Sequence, residues 1–169
     1  MIEQGRELRI ENVLSFRKKV LQNELNTQME NIGKFLSDNS LKKVGPIITA
    51  TFAVEAVNGQ PLLDMEILVP IDKTIEASWE YHFKKPFHLV NAVYAQHNGN
   101  PATLQITYDQ MAAYINKNKL QQITAGYNVS VKELQPGMSL DDMIVDVYIG
   151  VNPNVLWLTA AQLIKTANK

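Results

Sequence analysis

Two carboxylates occupy matching positions in two apolar strands of this sequence. Glu66 lies in the run 64–71, and Asp146 lies in the run 144–151. Because side chains alternate between the faces of a strand, each acid lies opposite an unbroken apolar face. A carboxylate among apolar neighbours favours a cationic partner, because its burial is costly unless compensated. The alternative interpretation is an ordinary solvated sheet face.

Aromatic residues close to these acids in the sequence would add cation–π attraction to a bound cation. Tyr148 shares a strand face with Asp146, Tyr127 lies in the preceding strand, and Trp79 lies in an aromatic-rich segment between the halves. Each ring taken alone is also explained as ordinary core. We predict that Tyr148, Tyr127 and Trp79 are the walls of a ligand site.

The two acids belong to a longer internal repeat, which predicts two similar units that share one core. Each half has an amphipathic helix, a short turn (39–41 or 118–120) and a pair of strands. The helices are predicted from apolar residues at helical spacing: Leu21, Leu25, Met29, Ile32 and Leu36, then Leu104, Tyr108, Met111 and Ile115. Period-two alternation predicts a first strand over 8–16.

The expected order is strand, helix, strand, strand, then the same again, with a last helix at 157–166. The other strands are expected at 44–54, 62–71, 78–83, 87–96, 124–131 and 141–151. Asn58-Gly59 predicts a tight hairpin, and Asn100-Pro101 predicts the cap of the second helix. This mixture favours an α+β fold, an antiparallel sheet with its helices on one face.

Composition excludes several classes of function. The 169 residues carry a formal charge of −1, so we expect no direct nucleic-acid partner. There are no cysteines, which removes disulfides and thiolate chemistry. No leader or long apolar run is visible, so we expect a soluble cytoplasmic protein without a membrane partner. The three histidines lack metal-ligand spacing, and no phosphate loop or nucleophile motif occurs. We therefore predict no metal, no cofactor and no assigned catalytic residue.

Three stretches resemble the GyrI-like family of small-molecule-binding domains, which occur alone in bacteria and as effector domains of multidrug-sensing regulators. The first, 93–99, is similar to the family's strand that ends in a His-x-Gly turn. The second, 108–120, is similar to its helix that ends in an Asn-x-Leu step. The third, 146–151, is similar to its closing acidic strand, with 65–71 as the first-repeat copy. The resemblance covers roughly residues 6–151.

The resemblance implies two β-α-β-β modules related by a pseudo-twofold axis, with a ligand cleft between them. Module one spans about 6–72, module two about 78–151, and a helical extension covers 152–169. In the family's drug-binding members an acid of the closing strand faces the cleft; here that position is Asp146, with Glu66 as its counterpart. The family more often has Glu where this chain has Asp146, and Gly150 replaces the family's usual Pro.

The resemblance therefore implies a stand-alone domain that binds a lipophilic cation, for sensing or for sequestration. One alternative is a hydrolase of reactive electrophiles, with Glu66 or Asp146 as general base and Tyr127 or Tyr148 orienting the water. Another is a protein-interaction module or homodimer, with Trp157 of the last helix at the contact; that helix is equally explained by packing onto its own domain.

Overall fold

The computed structural model describes residues 1–76, 78, 80–132 and 137–154. These residues form one antiparallel sheet of eight strands: β1 (Ile2–Ile10), β2 (Val13–Leu21), β3 (Ile48–Val57), β4 (Gln60–Pro70), β5 (Tyr81–Lys84), β6 (Phe87–Asn98), β7 (Gln122–Lys132) and β8 (Ile144–Val151). The helices are α1 (Leu25–Asp38) and α2 (Leu104–Lys117). No helix in this part of the chain is long and apolar enough to cross a membrane. The predicted helix at 157–166 and Trp79 lie outside the described residues.

The strand order is β1-β6-β8-β7-β3-β4-β2-β5, and it is symmetric about its centre. The triplet β2-β4-β3 mirrors the triplet β6-β8-β7, and the two meet where β3 pairs with β7. The outer strands are exchanged: β1 pairs with β6 of the second half, and β5 pairs with β2 of the first. The sequence prediction of an α+β fold built from two pseudo-symmetric modules is thereby confirmed.

Strand register also confirms which residues are equivalent. The β3–β7 pair has two informative contacts, Ile48 opposite Val129 and Ala50 opposite Tyr127. Glu66 is the β4 partner of Ala50, and Asp146 is the β8 partner of Val129. A twofold axis through the centre of the β3–β7 pair exchanges Ala50 with Val129. The same axis therefore exchanges their partners, Glu66 and Asp146, as the repeat predicts.

Both helices pack on one face of the sheet, and the opposite face is concave. Ile32 of α1 packs with Met65, Ile67 and Val69, while Met111 of α2 packs with its own set. That second set comes from the closing strand β8: Val145, Val147 and Ile149. A third cluster on the other face draws on both halves: Val13, Ile48, Leu68, Phe87, Tyr127 and Tyr148. This shared cluster requires a curled sheet whose two halves face each other across an apolar interior.

The prediction of a single first strand over 8–16 is wrong, because the chain turns at Glu11-Asn12 between β1 and β2. The period-two spacing of Leu8, Ile10, Leu14 and Phe16 nevertheless continues across the turn, although β2 buries residues 13–16 on both of its faces. The helix predicted from Leu21 begins at Leu25, after a short 3-10 turn. Leu21 instead ends β2 opposite Leu62; its spacing to Leu25 matches a helix although its burial comes from the sheet.

The repeated Asn-x-Leu step ends both helices in the same way. The side-chain amides of Asn39 and Asn118 donate to the carbonyl oxygens four residues earlier, each at 2.8 Å. The next residue, Ser40 or Lys119, has φ of 51° or 54°, the left-handed conformation common after a helix. The hairpin predicted at 58–59 is confirmed, with φ of 50° and 77°.

Candidate ligand-binding site

A row of paired residues crosses the concave face of the sheet. Paired residues of antiparallel strands point to the same face. The row runs through Arg17, Glu66, Ala50, Tyr127, Tyr148, Tyr94 and Glu3. Asp146 precedes Tyr148 by two residues and so shares its face. The structure thus brings Glu66, Asp146, Tyr127 and Tyr148 onto one surface.

Glu66 already has a cationic partner within the protein. It is 4% exposed, and its Oε1 accepts hydrogen bonds from Ser15 Oγ and from Lys84 Nζ, both at 2.5 Å. The Lys84 ammonium also lies 5.6 Å from the ring centre of Phe87. A buried carboxylate so paired is largely compensated, so Glu66 has little charge left to offer a ligand.

Among the described residues, Asp146 accepts hydrogen bonds only from neutral groups. Its Oδ1 accepts from the Tyr94 hydroxyl at 2.9 Å and from Gln96 Nε2 at 3.0 Å. Within the described part of the chain, no Lys, Arg or His nitrogen forms an ion pair with this carboxylate. Asp146 is half-buried, so its charge is partly withdrawn from water and carries no neutralising partner there.

Two aromatic pairs lie on the concave face that carries the acids, and one of them adjoins Asp146. Tyr94 and Tyr148 lie with ring centres 5.0 Å apart, and Phe87 meets Tyr127 edge-on at the same separation. The Arg6 guanidinium lies over Tyr94, 4.8 Å from the ring centre, which shows that this ring already takes a cation on its face.

The phenols around the acids stay protonated well above neutral pH. Burial, reinforced by the hydrogen bond to Asp146, raises the pKa of Tyr94 to about 12. Burial also raises the pKa of Tyr127 and of Tyr148, and the charges of Glu66 and Asp146 respectively add to the effect. Tyr94 therefore remains a hydrogen-bond donor to Asp146 well above neutral pH.

Alkaline pH should destabilise the protein through Tyr94. A free tyrosine loses its proton near pH 10, whereas Tyr94 keeps it to about 12. The folded-state pKa is the higher one, so this contribution to stability is complete below pH 10 and is lost as the pH rises to about 12. Unfolding midpoints measured across this range should fall less steeply for Tyr94→Phe than for wild type. Equal slopes would contradict the shift.

A groove of about 580 Å³ opens beside the row of paired residues. It is lined by Phe52, Gln122, Ile123, Thr124, Ala125 and Tyr127. Tyr127 belongs both to the groove and to the row. The Arg17 guanidinium lies 3.7 Å from the ring centre of Phe52 and pairs with Asp64 at 3.2 Å. This volume suits a drug-sized molecule.

The presence of glycine at position 150 has a steric explanation. A Cβ at this position would come within 2.7 Å of the Thr124 side chain, whose Oγ1 accepts from the Gly150 N–H at 2.8 Å. In the first module the contact is reversed: Pro70 packs 3.2 Å from where Gly45 would carry its Cβ. The glycine is thus Gly150, the residue of the closing strand, in the second module, whereas in the first module it is Gly45, the partner of the closing-strand residue Pro70.

His97 shapes the turn before α2. It is 7% exposed; its Nδ1 contacts Thr107 Oγ1 at 2.9 Å, and its Nε2 contacts the Asn100 carbonyl at 3.1 Å. A carbonyl only accepts, so Nε2 carries the proton. The predicted cap is present, since Asn100 Oδ1 accepts from the Ala102 N–H. Across the described ranges, no three His, Cys, Asp or Glu side chains form a metal-binding group.

Sequence reasoning missed Ser15, Lys84, Tyr94 and Gln96 as neighbours of the acids. Tyr94 and Gln96 were identifiable in principle, because they lie two apart in a strand that ends in the family-like turn. Ser15 and Lys84 reach Glu66 from β2 and β5, and only the register of those strands reveals them.

No protein-family model and no curated protein matches the sequence. The fold matches the C-terminal domain of EcmrR, with a TM-score of 0.75 at 13% identity over 90% of this chain and 97% of that one. In EcmrR bound to DNA the TM-score is 0.71 at 13% identity over 89% of this chain, which spans 57% of the EcmrR chain.

Two other solved structures share the fold. A hydrolase from Listeria innocua has a TM-score of 0.58 at 13% identity, over 88% of this chain and 92% of that one. SAV2435 bound to tetraphenylphosphonium has a TM-score of 0.52 at 8% identity, over 90% and 93%. These likenesses establish a common fold, which is consistent with the GyrI-like resemblance of the sequence.

Proposed function

We propose that the protein binds a small lipophilic cation on its concave face, for sensing or sequestration. Asp146 is the charge anchor, and Tyr94, Tyr148 and Tyr127 supply ring faces. One observation carries the proposal: Asp146 is half-buried and hydrogen-bonded by two neutral donors, with no ion pair in the described residues. A carboxylate in that setting gains most from a cation that brings apolar surface with it.

The physical balance favours a cation whose charge is spread over apolar groups. A unit charge about 4 Å from a carboxylate gains roughly 4 kcal/mol at the effective dielectric of a protein surface. Each aromatic face adds about 0.5–2 kcal/mol. A diffuse cation loses little hydration on entry, and the groove beside Tyr127 can take its apolar groups. The complex of SAV2435, which shares the fold, supports tetraphenylphosphonium as a probe.

Tetraphenylphosphonium should raise the unfolding temperature, and neutral triphenylphosphine oxide should not. Ligand at a hundred times its dissociation constant adds about 2.7 kcal/mol, which for a protein of this size is roughly 5–10 °C. Differential scanning fluorimetry of both compounds at matched concentrations measures the effect. Equal shifts would show binding by the apolar groups alone, and no shift would contradict the proposal.

The hydrolase alternative would use the same carboxylate, with Asp146 as general base and the Tyr94 hydroxyl in contact with it. The Listeria innocua hydrolase shares the fold. Incubation with an activated cyclopropane separates the two functions: a hydrolase adds water across the strained carbon–carbon bond, whereas a binding protein leaves the compound intact.

A further inference from the structure

Each module presents its acid in the same way. The Ser15 hydroxyl donates to Glu66 and the Tyr94 hydroxyl donates to Asp146. The strand register makes these two donors equivalent. Ser15 lies opposite Leu68, which is two residues after Glu66. Tyr94 lies opposite Tyr148, which is two residues after Asp146. The concave face therefore holds two copies of one polar arrangement, a carboxylate with a hydroxyl donor.

A basic residue stands at the same place beside each copy. Lys84 of β5 lies opposite Val13, and Arg6 of β1 lies opposite Ala92. Val13 and Ala92 each precede their module's hydroxyl residue by two positions. The two cations act differently: Lys84 bonds to Glu66 at 2.5 Å, whereas Arg6 pairs with Glu3 at 3.3 Å and covers Tyr94.

We infer that the Lys84 ammonium is the built-in occupant of a second cation site at Glu66, one that accepts primary ammonium ions. The site consists of the Glu66 carboxylate, the Ser15 hydroxyl and the Phe87 ring, and Lys84 fills it as a ligand would. Lys84 thereby confines external cations to Asp146. This selectivity role rests on the proposed function; the existence of the ammonium site does not.

The unequal burial of Lys84 and Glu66 supports the view that another ammonium ion can replace the Lys84 side chain. The Lys84 side chain is 35% exposed and that of Glu66 is 5% exposed, so the ammonium reaches the acid from a partly open side. Removing Lys84 leaves a buried carboxylate without compensation, which is strongly destabilising. A free ammonium ion can restore the charge balance if the site has the proposed form. A purely structural ion pair offers no such entry.

Lys84→Ala should be rescued by propylammonium, which replaces the atoms removed from the lysine. We expect the variant to lose roughly 10 °C of unfolding temperature and to recover most of it with propylammonium, but not with 1-propanol. The double variant Lys84→Ala/Glu66→Gln should show no propylammonium response. Should the alanine variant be too unstable, Lys84→Met with the ammonium ion gives the same comparison, because methionine lacks only the position of the lysine Nζ.

Lys19→Ala is the matched control. Lys19 pairs with Glu55 at 2.6 Å, but both side chains are about half exposed, at 54% and 51%. Its loss should change little, and propylammonium should not act on it. A Lys84→Ala variant whose response to propylammonium is no larger than that of Lys19→Ala would overturn the inference.

The wild-type response to tetraphenylphosphonium, measured in parallel, separates the two proposals. Rescue of Lys84→Ala without a wild-type response would leave the ammonium site standing and contradict the proposed function. A wild-type response without rescue of Lys84→Ala would support the proposed function and overturn the ammonium site.

Discussion

Asp146→Asn should weaken tetraphenylphosphonium binding roughly thirtyfold, a loss of about 2 kcal/mol. Asparagine keeps the shape of the side chain and an oxygen for the Tyr94 hydroxyl, so the change removes charge with little repacking. Because no ion pair neutralises Asp146 in the described structure, its charge remains available to a cationic ligand. Isothermal titration of both proteins gives the dissociation constants.

Two carboxylates serve as comparisons for that result. Asp109 is an exposed residue of α2, bonded only to Gln105 in the described residues, so Asp109→Asn should leave affinity unchanged. Glu66→Gln should reduce affinity less than Asp146→Asn does, because Lys84 already neutralises Glu66. Equal losses for the Asp109 and Asp146 variants would reduce the effect to net charge, and a larger loss at Glu66 would place the anchor in the first module.

Gly126→Ala should destabilise the protein by about 3 kcal/mol. A Cβ at Gly126 would lie 2.4 Å from both Cε1 and Oη of Tyr108, far inside contact distance. The ring cannot move away freely, because its hydroxyl donates to Asn128 Oδ1 at 2.8 Å and burial holds it against β7. Alanine therefore separates α2 from the sheet or breaks that hydrogen bond. Urea unfolding measures the loss.

The controls for Gly126→Ala use the rest of the chain. Gly33 is an exposed residue of α1 with no atom within 4 Å of an added Cβ, so Gly33→Ala should stabilise the protein by up to about 1 kcal/mol. In a Tyr108→Ala background, Gly126→Ala should cost much less than in wild type. Additive losses in that double variant would show that the Tyr108 ring is not the cause.

The faces of Glu66 and Asp146 were predictable because period-two alternation is local, and each closing strand has one wholly apolar face. The Asn-x-Leu repeat was readable for the same reason, since its hydrogen bonds stay within one helical turn. Lys84 was not predictable as the partner of Glu66. The two residues meet because β5 and β4 both pair with β2, and local sequence spacing does not encode which strands pair. The turn at 11–12 escaped notice because alternation continued through it.

The positions of Trp79 and of the helix at 157–166 stay predictions. Asp146 as the anchor was given by the family resemblance, and the difference between the two acids came only from the structure. Their sequence contexts are alike, whereas Glu66 is neutralised by a residue from a distant strand and Asp146 is not.

The exchange of the outer strands makes the chain a covalent counterpart of a swapped dimer. β1 leads into the first triplet yet completes the second, and β5 leads into the second yet completes the first. Two copies of a half-length polypeptide that exchanged their first strands would form the same sheet. Fusion makes that exchange permanent, and separating the halves would break three strand pairings, β1–β6, β2–β5 and β3–β7, and expose their edges. A protein cut between the halves should therefore survive as a tightly associated pair of fragments.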